Sequence, residues 1–152
     1  MMYYLADFKP AHAREIIKRN GKDLPLPQEK LIEAYLSPGS VALTILADDI
    51  PIACGGIINQ DWHNGEAWLL TAIEFGYYRK TAYRFVKEAL PLLAQMGDFK
   101  RVQAHSYDRE QCAIFKHLGF QFEGVIRRFT WNNRDAFLFS RLFPEDLNGH
   151  PA

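Results

Sequence analysis

The sequence predicts a single-domain α/β fold, a central mixed β-sheet flanked by helices, with its elements in the order βααβββαβαββ. Three observations predict it. Apolar residues alternate along the chain between the two-residue period of a strand and the three-to-four-residue period of a helix. The length, 152 residues, is that of one ordinary domain. The composition, 48% hydrophobic against 24% charged, supplies a core and excludes a chain that stays disordered. The domain is read over residues 1–143, followed by a short polar tail, 144–152.

Tyr3 to Phe8 is an aromatic and aliphatic run closed by Lys9 and Pro10, a first strand ending in a turn. Pro10 suits the first turn of a helix, Ile16 and Ile17 supply its buried side, and Asn20 with Gly21 stops it. A second helix follows the prolines of KDLPLPQEKLIEAYL, with Leu31, Ile32, Tyr35 and Leu36 at helical spacing and Pro38–Gly39 at its end. From Ser40 the period changes to that of strands. VALTILA, IPIACGGII and EAWLLTAI read as an antiparallel meander, joined by the Asp48–Asp49 turn and a polar loop from Asn59 to Gly65. Gly55 and Gly56 mark a bulge or a close approach by another backbone.

Tyr78 to Met96 returns to helical spacing through Ala82, Phe85, Val86, Ala89, Leu90 and Leu93, with Pro91 expected to kink or shorten the helix. Gly97 and Asp98 turn the chain into the strand RVQAHSY. Arg109 to Leu118 reads as a helix stopped by Gly119. FQFEGVIRRF and AFLFSRL close the domain as two strands around the loop Trp131–Arg134.

Eighteen basic residues balance eighteen acidic ones, so the chain lacks the positive field that general nucleic-acid binding requires. Local clusters remain at Arg79, Lys80 and Arg84 and at Arg127 and Arg128. No apolar stretch approaches the roughly 20 residues of a membrane span, and MMYYLADFKP is not a signal peptide. Cys54 and Cys112, in an apolar run and a helical pattern, form no disulfide framework. A cytoplasmic location is expected. His63 and His105 stand at no metal-ligand spacing with another His, Cys or carboxylate, so no metal is expected. Trp62, Trp68 and Trp131 are where a substrate or partner surface is sought, although Trp68, within a strand, reads as core.

This element order, and above all REQCAIFKHLGFQFEGVIRRFTWNNRDAFLFSRL, resembles the GNAT superfamily of acyl-CoA-dependent N-acetyltransferases. Phe115, Gly119, Phe120, Glu123 and Gly124 stand where that family has its helix-ending aromatic, Gly-Phe and Glu-Gly. The resemblance implies acetyl-CoA as cofactor and a primary amine of a small molecule, peptide or protein as acceptor, attacked directly. It places Ala72, Ile73, Tyr77, Arg79, Lys80, Thr81, Ala82 and Phe115 at the cofactor. The family's Gly-rich turn falls on Tyr77, Lys80 and Ala82, and only Ala82 keeps the pattern. Two cations and a hydroxyl at a helix start form an anion site of another kind; the alternative is a solvated cationic helix face. Shorter likenesses in ACGG, GEAWLLT and IFKHLGF are similar to a phage-encoded branch that includes a small internal virion protein of short-tailed coliphages. That branch implies a second possibility: a non-catalytic, virion-associated chain with a degenerate cofactor site and a virion or host protein partner. A homodimer is also open.

Acyl transfer to an amine needs a base for the amine proton, donors for the developing oxyanion and a proton for the departing thiolate. The resemblance makes Glu66, eleven positions before Tyr77, the first candidate base, against the reading of a strand-edge carboxylate in water. Glu74 is the second. Phe115 stands where many members have an acidic tyrosine, and a phenyl ring donates no proton. Tyr107 is the substitute candidate, against a structural tyrosine.

Overall fold

The computed structural model describes residues 2–21, 28–61, 63–72, 79–130 and 132–144. The elements are β1 (Tyr3–Asp7), α1 (Pro10–Asn20), α2 (Gln28–Tyr35), β2 (Val41–Ala47), β3 (Ile50–Asp61), β4 (Asn64–Thr71), α3 (Arg79–Met96), β5 (Arg101–Ser106), α4 (Arg109–His117), β6 (Gln121–Ile126) and β7 (Ala136–Leu142). Their order is the predicted one. All seven strands join one sheet in the order β1-β2-β3-β4-β5-β7-β6. The β4–β5 pair is parallel and the others are antiparallel, which makes the sheet mixed.

Helices cover both faces. Ala13, Ile16 and Ile32 of α1 and α2 pack on Cys54, Ala72, Trp68 and Leu70. On the other face Ala89, Leu90 and Leu93 of α3 and Leu118 after α4 enclose Ile57, Val102, Ala104, Phe120 and Phe139. Burial of Cys54 pushes its thiol up to about 12, which fits the core role read from IPIACGG.

α1 starts on Pro10 and ends on Gly21, whose φ of 61° is left-handed. At its start His12 takes the place of the usual capping Glu or Gln. The Lys9 N–H donates to His12 Nδ1 at 3.1 Å, and the Thr44 hydroxyl, fully buried, lies 2.7 Å from the same atom. An acceptor at Nδ1 is an unprotonated nitrogen, and burial, then the charge of Lys9, lowers the His12 pKa.

One local expectation changes and two narrow. α3 runs through Pro91 to Met96: Pro91 is exposed, so the carbonyl left without its N–H partner can be hydrated. The loop Asn59–Gly65 is mostly strand, since β3 reaches Asp61 and β4 starts at Asn64, with a register shift between Asn59 and Asp61 and His63 at φ 67° in the turn. Gly55 and Gly56 mark a close approach, with no register shift at either. A Cβ on Gly56 would stand 2.1 Å from the Val41 carbonyl oxygen, and one on Gly55 2.8 Å from that of Trp68. Gly119, at φ 89°, is the left-handed residue expected after α4.

At the far edge, β6 is tied across β7 to β5. Arg101 donates to both oxygens of Glu123, at 2.7 and 2.5 Å, and the Ser140 hydroxyl donates to Oε1 at 2.7 Å. The guanidinium, aided by Ser140, holds the Glu123 carboxyl down at about 2.

Two outcomes follow from these contacts. Gly56→Ala forces β2 away from β3 and should lower the unfolding free energy by about 1–3 kcal/mol, read by urea denaturation. His12 has a folded pKa below its ordinary 6.5. Its stabilising contribution is therefore complete above pH 6.5 and is lost as pH falls through the depressed value. His12→Gln, which caps without titrating, should flatten this part of the pH–stability curve between pH 7 and 5.

Candidate functional site

β4 and β5 share hydrogen bonds over three residue pairs only: Asn64 with Arg101, Gly65 with Val102 and Glu66 with Gln103. Beyond Glu66 and Gln103 the parallel pairing stops, although β3 continues beside β4 to Thr71 and β7 beside β5 to Ser106. The two strands therefore fork, and each presents to the gap a backbone edge that pairs with no strand among the described residues. α3 packs on β2 and β3 and α4 on β5 and β6, on either side of it. Leu69, on the α3 side of β4, is half exposed.

The period of two assigns side chains to faces. Val102, Ala104 and Ser106 point to the α3 and α4 side and are buried. Glu66 and Trp68 on β4, and Gln103, His105 and Tyr107 on or just after β5, point to the side of α1 and α2. At the fork Glu66 Oε1 and His105 Nδ1 form a close hydrogen bond. Their side chains are 17% and 14% exposed. Among the described residues, Glu66 Oε2 is buried without a partner, and so is Trp68 Nε1. One acceptor and one donor thus stand unsatisfied two residues apart on the same face of β4, a condition that natural cores avoid and ligand sites use.

Aromatic rings complete this face. Trp68 stacks on Tyr35 at 3.5 Å between centroids and 5° between planes, with Phe8 edge-on at 5.6 Å. Trp68 is therefore packed, as expected within a strand, while its indole N–H faces a polar need. Phe129, in the loop between β6 and β7, stacks on His105 at 4.6 Å and 19°.

The predicted site residues separate into groups. Glu66 lies at the fork, and Tyr107 is close enough for the charge of Glu66 to raise its pKa, after the larger effect of burial. Its phenol thus keeps its proton at neutral pH. Phe115 packs against Phe120 and Phe139 at 5.6 and 5.5 Å, an apolar contact of α4 with the sheet. Ala72 is buried against α1 and α2, with its N–H donating to the Ile52 carbonyl at 2.8 Å. Arg79, Lys80, Thr81 and Ala82 form the first turn of α3, with Lys80 exposed. Ile73, Glu74 and Tyr77 lie outside the described residues, as do Trp62 and Trp131.

Sequence reasoning missed the partnership of His105 and Glu66 and the part of Phe129. The first two are 39 positions apart, and only the parallel register of β4 and β5 makes them diagonal neighbours. His63 instead serves the turn, with Nδ1 2.7 Å from the Asp98 carbonyl oxygen. Cys112 donates to the Ser106 hydroxyl at 3.4 Å. A separate cavity of about 530 Å³, lined by Lys87, His117, Glu123 and Arg141 among others, lies toward the C-terminal parts of α3 and α4. It is away from the fork, and its Glu123 is taken by Arg101 and Ser140.

This architecture is shared by solved structures of acetyltransferases. An acetyltransferase of the GNAT family from Streptococcus pneumoniae superposes with a TM-score of 0.70 at 17% identity, over 93% of this chain and 99% of that one. A ribosomal-protein alanine N-acetyltransferase from Escherichia coli gives 0.77 at 12% identity, over 95% and 96%. A spermidine/spermine N-acetyltransferase from Vibrio cholerae gives 0.74 at 16%, over 97% and 98%. The fold is thus that of the GNAT acetyltransferases. No family model matches the sequence, and no curated protein matches it.

The Tyr107 phenol checks the geometry of the fork. Glu66→Gln should lower its titration midpoint part of the way toward 10 and leave Tyr4, raised by Asp49, unmoved. NMR of ring-labelled tyrosine reads both.

Proposed function

We propose that the chain is a GNAT-type N-acetyltransferase that moves an acetyl group from acetyl-CoA to a primary amine by direct attack. The observation that carries this reading is the Glu66 carboxylate, its Oε2 buried, standing where β4 and β5 part. Two features of the chain support a place for the cofactor. The backbone edges of β4 beyond Glu66 and of β5 beyond Gln103, where the ladder ends and no described strand pairs with them, offer N–H and C=O groups to an amide-bearing arm. Lys80 and Thr81, in the first turn of the 18-residue helix α3, offer a cation, a hydroxyl and helix N–H groups to phosphates, and Arg79 is proposed with them from its place in the sequence. When bound, acetyl-CoA supplies the activated thioester.

The roles proposed for the chain's own groups are supported by their positions. Glu66 Oε2 accepts the proton of the incoming amine, which is a nucleophile only when neutral. Tyr107 holds its proton near the same space and is the donor for the leaving sulfur, a task that Phe115 cannot perform. The aromatic wall of Phe8, Tyr35 and Trp68 keeps water from the acceptor side and strengthens the electrostatics of Glu66. The acceptor is an amine of a small molecule or of a protein, the two kinds named for the structural neighbours from Vibrio cholerae and Escherichia coli.

Glu66→Gln should lower kcat by about 10²–10⁴-fold while the affinity for acetyl-CoA, read by calorimetry, stays unchanged. Unaltered turnover removes Glu66 as the base. A folded chain that gives no heat and no thermal shift with millimolar acetyl-CoA overturns the enzyme reading and leaves the non-catalytic, virion-associated alternative.

A further inference from the structure

We propose that His105 is the positioning residue of the Glu66 carboxylate, deciding which of its two oxygens takes the amine proton. The proposal rests on the acetyl-transfer reading above. The two side chains come from neighbouring strands, at diagonal positions on one sheet face, and meet through His105 Nδ1 and Glu66 Oε1. A carboxylate oxygen and a ring nitrogen so close need a proton between them. With the carboxylate ionised and the imidazole neutral, that proton sits on Nδ1 and Nε2 is the bare nitrogen. The tautomer is thus set by the bond to Glu66.

With Oε1 committed to His105, Oε2 is the remaining proton acceptor. It is buried and has no partner among the described residues. A pair that served structure alone would satisfy both oxygens, as Glu123 is satisfied by Arg101 and Ser140. At Glu66 one oxygen is fixed and the other is left for an N–H that no described residue supplies.

The plane of the imidazole is set from the opposite side. Phe129 stacks on it at 4.6 Å, and the loop that carries Phe129 is itself fastened. Phe129 N–H and Thr130 N–H donate to the Arg134 carbonyl at 2.9 and 3.1 Å, and Arg128 N–H donates to Asp135 Oδ1 at 2.9 Å. His105 is therefore held between a carboxylate and a phenyl face, so Glu66 does not have to be reoriented at each turnover.

The test has two parts on the full chain. NMR of the ¹⁵N-labelled imidazole reads the tautomer of His105 in the wild type and in Glu66→Ala. Steady-state kinetics then compares His105→Ala, His105→Gln and His105→Asn, each checked for a native melt. Asn places an N–H where Nδ1–H stands, and Gln places one farther out. The expected results are the Nδ1–H form in the wild type, turning to Nε2–H in Glu66→Ala. His105→Ala and His105→Gln should lose kcat by about 10- to 100-fold with KM for acetyl-CoA unchanged, and His105→Asn should restore most of it. An Nε2–H tautomer in an active wild type overturns the positioning role and leaves acetyl transfer standing, as does equal loss in the Ala and Asn variants. A wild type with the Nδ1–H form that acetylates no amine overturns the acetyl-transfer reading and His105's part in it.

Discussion

Between Glu66 and Gln103 a parallel ladder ends, and the molecule is arranged around that ending. Two paired neighbours that separate give up backbone hydrogen bonds along both inner edges, each worth about 1 kcal/mol net. They also leave polar groups that water or a ligand must meet. The loss is tolerable because each strand is held on its other side, β4 by β3 as far as Thr71 and β5 by β7 as far as Ser106. Each side of the fork is therefore part of a continuous antiparallel unit, and the gap is a property of the whole sheet.

The two faces of the gap are unlike, and the difference follows from strand alternation. One face, toward α3 and α4, carries half-exposed Leu69 with buried Ala104 and Ser106. The other carries Glu66, His105 and Tyr107 beside the ring cluster of Phe8, Tyr35 and Trp68. Ionised groups in a water-poor setting interact more strongly than at an open surface. The stack of Tyr35 on Trp68 joins α2 to β4, so the helix layer that buries the core also shapes the surroundings of the carboxylate.

How legible this was in the sequence depended on the range of the cause. Local causes were readable: Gly119 because a helix entering a strand at once needs a left-handed residue, and the α1 boundaries because Pro10 and Gly21 act on their own turns. The polarity of Asn59–Gly65 misled, since the exposed end of a long hairpin is polar whether it is strand or loop. Pro91 does not end α3, because its cost depends on whether the abandoned carbonyl faces water. Glu66 was reachable only through a family pattern. His105 beside it was not, because neither residue carries any mark of a register set between strands 39 positions apart.

The register shift in β6 between Phe122 and Gly124 has a consequence of its own. β6 ends the sheet, and Phe122 and Val125 on it are 52% and 50% exposed, a combination that invites another chain to add a strand. The bulge breaks the even spacing of N–H and C=O groups along the free edge, where Glu123 turns inward over β7 to Arg101 and Ser140. The irregularity that ties β6 to β5 also makes the margin of the sheet a poor template for fibre growth.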